Sequence, residues 1–259
     1  MRFTEIPTGE THDYRVARAW AAEQLGTPNI ATIWIPAAGF HSAERRGENY
    51  SITRTIGKGK DESKSSDSTT KFYGIGFGPD PIINPLWDSF SIPRDVELPH
   101  NANFQVTGEW EAYSFDTLRA SKPSSASTLS EYLVNYDDAD RSGITDFLNQ
   151  HAPTSSTFPG SDEVRAWITL RDKTGNLVAV AAIAEWESGG KVLSSVAVDG
   201  ALRGKGLGAL LMSESAIAAR ALGIAHLVLA VLSANEAAVR LYTSAGWSLM
   251  GRFSHYDRQ

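Results

Sequence analysis

The stretch Leu202-Arg203-Gly204-Lys205-Gly206-Leu207-Gly208-Ala209-Leu210-Leu211 decides how this chain is read. Three glycines alternate with Arg203, Lys205 and Leu207, and an apolar helical pattern follows at once. Glycine at that density lets backbone N–H groups come close to an anion, and a helix starting there adds the positive end of its dipole. The segment is built to hold a phosphate, and its neighbours tell which kind.

A strand pattern, Val192–Val198, precedes the loop, and a helix with Leu207, Leu210, Leu211, Ala218, Ala221 and Leu222 on one face follows it. Gly223 then stands where helices end, Ile224–Leu232 reads as a buried strand, and Asn235 is a natural N-cap for a helix over Asn235–Ala245. Trp247–Phe253 closes the series as a strand. Upstream, Glu131–Tyr136 reads as a strand and Asp137–Gln150 as a helix opening in an acidic cluster. Val164–Arg171 and Leu177–Trp186 are strands joined at a turn containing Gly175. The order β-α-β-β-β-α-β-α-β is that of an α/β domain with a mixed sheet.

Two familiar phosphate loops fail on spacing. Counted from Gly200, the second glycine of a Walker loop falls on Lys205, which Gly206 follows instead of Ser or Thr. Gly204, Gly206 and Ala209 formally meet the dinucleotide pattern. However, Asp199–Arg203 separates them from the strand, and Ile224–Leu232 ends in no Asp or Glu for a ribose.

Taken with Arg203, the loop fits [QR]-x-x-G-x-[GA] and resembles the coenzyme A pyrophosphate loop of the GNAT acetyltransferases. Asn235–Trp247, NEAAVRLYTSAGW, resembles the second cofactor segment of that family, and the two segments have the family's separation. The likeness covers about residues 129–259. It implies a GNAT-like fold for that half and acetyl-CoA as co-substrate. Arg203, Gly204, Lys205, Gly206, Leu207 and Gly208 would hold the diphosphate. Backbone groups of Val196, Ala197 and Val198 would meet the pantetheine arm, and Asn235 and Tyr242 would contact the cofactor. An N–H near Val198 would polarise the thioester carbonyl. Tyr242 stands where many members protonate the leaving sulfur, although an ordinary core tyrosine would fit the same helix. Several relatives carry a glutamate in the fourth strand, but Val192-Leu193-Ser194-Ser195-Val196 has none. The nearest candidates for the base are Glu185 and Glu187 at the end of the third strand, acting through water, and solvated carboxylates fit there equally well.

The resemblance therefore implies an N-acetyltransferase moving an acetyl group directly to the primary amine of a small molecule. A CoA-binding regulatory protein without turnover and a protein or peptide N-acetyltransferase are the alternatives. A second copy of the chain is a further expected partner.

Composition agrees with a globular protein: 259 residues, 42% hydrophobic and 21% charged. A net charge of −6 argues against general affinity for nucleic acid or anionic membrane. The absence of cysteine excludes disulfides, thiolate metal sites and a cysteine nucleophile, and the six histidines lack metal-ligand spacing. No metal is expected. The first residues carry no secretory pattern and the apolar runs are too short to span a bilayer, so a cytoplasmic protein is expected.

Two polar stretches punctuate the rest. Gly57–Lys71 reads as a loop, and the Ser-rich Ala120–Ser130 as a linker between residues 1–119 and 129–259. Before that linker, His12–Leu25 has helical spacing, and Ile30–Ile35, Phe72–Phe77 and Phe104–Phe115 look extended. Tyr73–Gly78, YGIGFG, mimics the cofactor loop, but Pro79 follows and no helix develops, which suits a glycine-bulged strand. Residues 1–119 are either a degenerate tandem copy of the same fold or an unrelated module beside the acceptor.

Overall fold

A computed structural model describes residues 8–25, 39–56, 70–98, 102–119, 131–186 and 189–259. The expected strand at 30–35, the loop at 57–69, the linker at 120–130 and Glu187 lie outside the described residues. In chain order the elements are β1 (Thr8–Thr11), α1 (Tyr14–Leu25), β2 (Phe40–Arg46), β3 (Asn49–Ile56), β4 (Lys71–Phe77), β5 (Ser89–Pro93) and β6 (Phe104–Asp116). They continue with β7 (Leu133–Tyr136), α2 (Arg141–His151), β8 (Val164–Arg171), β9 (Leu177–Glu185) and β10 (Lys191–Val198). Then come α3 (Leu207–Ala221), β11 (His226–Leu232), α4 (Glu236–Ser244) and β12 (Ser248–Arg258).

The chain divides into two compact units. One comprises Met1–Ala112, Leu232–Ala234 and Met250–Gln259, and the other Tyr113–Val231 and Asn235–Leu249. The division thus falls inside β6 and β12 rather than at the Ser-rich segment near residue 120. The reason is strand pairing: Phe253–Asp257 of β12 run antiparallel to Ser89–Pro93 of β5, so the last residues complete the sheet of the first unit.

In the second unit the strands lie in the order β11-β10-β9-β8-β7. β7 to β10 are antiparallel neighbours, and β10 is parallel to β11, as a crossover through α3 requires. β9, LVAVAAIAE, is apolar nearly throughout because both of its faces are covered. Ala179, Ala181 and Ile183 pack with Leu207, Leu210 and Leu211 of α3, whereas Val180 and Ala182 pack with Ile144, Phe147 and Leu148 of α2. α2 begins at Arg141, later than its acidic cluster suggested. Asp137 is left-handed (φ +59°) and cannot continue a helix, and the Asp140 carboxylate caps the first turn by accepting from Gly143 N.

The first unit has the order β1-β2-β3-β4-β5-β12-β6. β1 to β4 form antiparallel pairs, and β4 then runs parallel to β5. Strand, helix, three strands and a parallel step repeat the plan of the second unit, as expected of a degenerate tandem copy. The difference is that no helix joins β4 to β5. YGIGFG lies in β4 and the turn after it, but the register with β3 runs unbroken from Tyr50↔Phe77 to Ile56↔Lys71, so the expected bulge is absent. Its glycines make room instead: a Cβ on Gly74 would lie 2.0 Å from the Trp87 ring, and one on Gly76 would lie 2.7 Å from Pro81.

Candidate functional site

The loop between β10 and α3 has the backbone its glycines promised. Asp199 accepts from Ala201 N and caps a short 3-10 turn at Gly200–Leu202. Gly204 (φ +79°) and Gly206 (φ +83°) are left-handed, and a Cβ on either would meet open space. What demands glycine at both is the sign of φ, which costs an L-residue roughly 1–3 kcal/mol. Gly206 is also the N-cap of α3, with no side chain capping that end. The first N–H groups of a 15-residue helix are thereby left to an outside acceptor. Gly208 serves packing: a Cβ there would meet Leu241 Cδ2 at 3.0 Å. Arg203 and Lys205 are exposed and form no ion pair among the described residues. The donors and charges present fit a diphosphate.

The strand leading into the loop is open on one side. β10 and β11 meet in register only at Val192↔Val228. On the other side, the pairing with β9 slips between Ser194↔Ala182 and Ala197↔Val180, a one-residue bulge. Ser195, at that bulge, is left-handed (φ +51°). Beyond it, Asp199 N donates to Val178 O at 2.9 Å. Antiparallel bonding alternates, so the N–H of Val198 turns away from β9 toward the unpaired edge. Val196, Val198, Leu202 and Leu207 all join the apolar cluster around α3.

Tyr242 belongs to the same cluster. It is 6% exposed, near Tyr113 and Trp247 (ring centroids 6.1 and 6.0 Å), and its hydroxyl has no hydrogen-bond partner among the described residues. Burial pushes its pKa up to about 12. Asn235 caps α4, its side chain accepting from Ala238 N at 3.2 Å.

Glu185 lies elsewhere. It opposes Lys191 at the turn end of the β9–β10 hairpin, whereas Val198 opposes Ala179 at the other end. At about 3.3 Å per residue, the eight-residue β10 puts those ends roughly 20–25 Å apart. Lys191 bonds the Glu185 carboxylate and Arg165 Nε donates to it at 3.0 Å, and these bonds hold it below the usual carboxylate range. A lower pKa makes a weaker base.

Sequence reasoning missed a group of hydroxyls at the bulge. Ser195 Oγ donates to the Thr157 carbonyl at 2.5 Å and Ser194 Oγ to Thr157 Oγ1 at 2.9 Å, with Ser156 Oγ 3.0 Å from Ser194 Oγ. Its one signal was the adjacent Ser194-Ser195 pair in an otherwise apolar strand. A cavity of about 380 Å³ near the start of α2 was also unforeseen, with Asp137, Asp138 and Asp162 among its lining residues and Val164 and Trp167 as its apolar part. No group of three or more His, Asp or Glu able to hold a metal occurs among the described residues.

Residues 131–247 match the acetyltransferase (GNAT) family. Among curated protein sequences none matches the chain. Solved structures with the same fold include a GCN5-related N-acetyltransferase from Sphaerobacter thermophilus, 12% identical, TM-score 0.58, over 96% of this chain and 94% of that one. A GCN5-related N-acetyltransferase from Kribbella flavida is 13% identical, with a TM-score of 0.54 over 95% of each chain. The third is a fungal GCN5-related glucosamine N-acetyltransferase region within a multi-domain β-N-acetylglucosaminidase, 11% identical, TM-score 0.51, over 96% of this chain and 38% of that one.

Proposed function

We propose, from the match of residues 131–247 to the GNAT acetyltransferase family, that the chain transfers an acetyl group from acetyl-CoA to a primary amine of a small molecule. The observation that carries the proposal is the continuity of an open β10 edge with an uncapped, left-handed glycine turn at the head of α3. Bound acetyl-CoA supplies the thioester.

The chain's own groups do the rest. N–H groups from Gly204 to Gly208, with Arg203 and Lys205, hold the diphosphate. The backbone of Val196, Ala197 and Val198 pairs with the pantetheine arm, and the N–H of Val198 donates to the carbonyl, where negative charge grows. Tyr242, protonated at neutral pH as an ordinary tyrosine is and held so to higher pH by its burial, gives its proton to the departing sulfur. The amine proton passes to water, since Glu185 stands the length of β10 from Val198 and its lowered pKa makes it a weak base. The net charge of −6 favours a cationic acceptor over an anionic one. No helix among the described residues is long and apolar enough to cross a membrane.

A CoA-binding regulator without turnover has one observation in its favour: β10 carries no glutamate, and Glu185 is tied to two cations. Release of CoA thiol from acetyl-CoA across a panel of small amines and lysine peptides decides. Turnover on small amines supports the proposal. Acetylation of peptides alone makes the acceptor a protein, and tight binding with no turnover makes the chain a regulator.

A further inference from the structure

We infer that Ser195 and Thr157 are positioning residues for the pantetheine arm, the buried Thr157 carbonyl holding the bulge of β10 in the one register that turns the Val198 N–H outward. The inference rests on the reading of the β10 edge as the place of that arm.

β10 has β9 on one side and, past Val192, no register with β11 on the other. An edge of that kind has little to fix a bulge. Ser195 nevertheless stands in the left-handed region, which a residue with a Cβ keeps only when its surroundings over-determine it. Those surroundings are the segment between α2 and β8. Thr157 is 1% exposed, and its carbonyl accepts from Ser195 Oγ at 2.5 Å, while its Oγ1 accepts from Ser194 Oγ at 2.9 Å. The extra residue of the bulge is what lets both adjacent serines reach Thr157.

The consequence follows from the period of a strand. Faces alternate residue by residue, so if Ser195 relaxed to an extended conformation and the bulge closed, Val196, Ala197 and Val198 would each turn to the opposite side. The N–H of Val198 would then point at β9, and the outer edge would present a different set of groups. The loop at Gly204–Gly208 does not depend on this register, because Asp199 and the 3-10 turn intervene. The clamp therefore acts on the arm and leaves the diphosphate site alone.

Calorimetry on the full chain tests this with two probes: CoA, and adenosine 3′-phosphate 5′-diphosphate, which keeps the diphosphate and lacks the arm. Ser195→Ala is expected to weaken CoA about tenfold, the scale of one lost buried hydrogen bond, with affinity for the armless diphosphate unchanged within about twofold. Ser195→Gly, which keeps the left-handed backbone without the hydroxyl, is expected to show the same split and serves if Ser195→Ala does not fold. Ser195→Asn tolerates that backbone, carries an N–H donor and is expected to restore most of the affinity. Undiminished CoA binding by Ser195→Ala overturns the inference, and so does an equal loss for both probes. A wild-type chain that binds no CoA sinks the cofactor reading itself, and the clamp with it.

Discussion

At the scale of single residues, left-handed glycine and buried hydroxyl make separable demands. Gly206 is fixed by the sign of its φ and by its place at the head of α3. Gly206→Asp adds backbone strain and sets a carboxylate against the anion site, so CoA affinity should fall at least about a hundredfold in a chain whose circular dichroism is unchanged. Unchanged affinity by calorimetry would remove the diphosphate from this loop. Tyr242 is a different case, because its hydroxyl matters only as charge develops on sulfur. Tyr242→Phe should lower kcat by about 10²–10⁴-fold with little change in the KM for acetyl-CoA. The tyrosine raised to about 12 should also cause no loss of rate between pH 7 and 10, since it stays protonated there. An unaltered kcat where chemistry limits the rate would return Tyr242 to a packing role.

Among elements, α2 shows how a cluster of like charges can be useful. Asp140 accepts from Gly143 N, and Arg171 Nη2 reaches both Asp140 (2.9 Å) and Asp138 (3.1 Å). The bond from Gly143, then that from Arg171, holds the Asp140 carboxyl below its usual 3.8. For Asp138, burial pushes upward, but the bonds from Thr169, the Asp140 backbone and Arg171 prevail and its pKa is lowered too. Groups with a folded pKa below the unfolded one stabilise the fold above pH 4 or so, and that stability drains away as pH falls through the folded value. Asp140→Ala should therefore cost about 0.5–2 kcal/mol at pH 7, the worth of an N-cap. In urea titrations the difference from wild type should shrink as the pH falls below about 4 and the carboxylate is protonated. A pH-independent difference would show that the carboxylate charge contributes nothing to the cap.

For the molecule as a whole, the finding is that both ends of the chain build the first unit. Phe253 is 3% exposed and stacks on Trp110 (centroids 4.4 Å), and Tyr256 stacks on Phe90 (5.2 Å). Phe253→Ala should destabilise the protein by about 3–5 kcal/mol in urea unfolding, as expected for a large aromatic removed from a packed core. A loss under about 1 kcal/mol would mean that the C-terminal strand merely lies beside that unit.

The sequence by itself determined the second unit nearly strand for strand, because its elements announce themselves locally. Gly204 and Gly206 mark a turn, Gly223 a helix end and Asn235 a cap, while β9 is apolar enough to be buried on both faces. It also placed the left-handed glycine turn at the head of α3, since such a turn is contiguous in the chain. Only the tertiary structure decided three matters that depend on partners distant in sequence. Glu185, nearest to the candidate site along the chain, is set roughly the length of β10 from Val198, because it stands at the turn of the hairpin and β10 runs its whole length away from that turn. Ser195 and Thr157, 38 residues apart, meet because a bulge turns two neighbouring serines to one face. The last strand, read as the close of the second unit, completes the first, because hydrogen bonding across a sheet is indifferent to sequence distance.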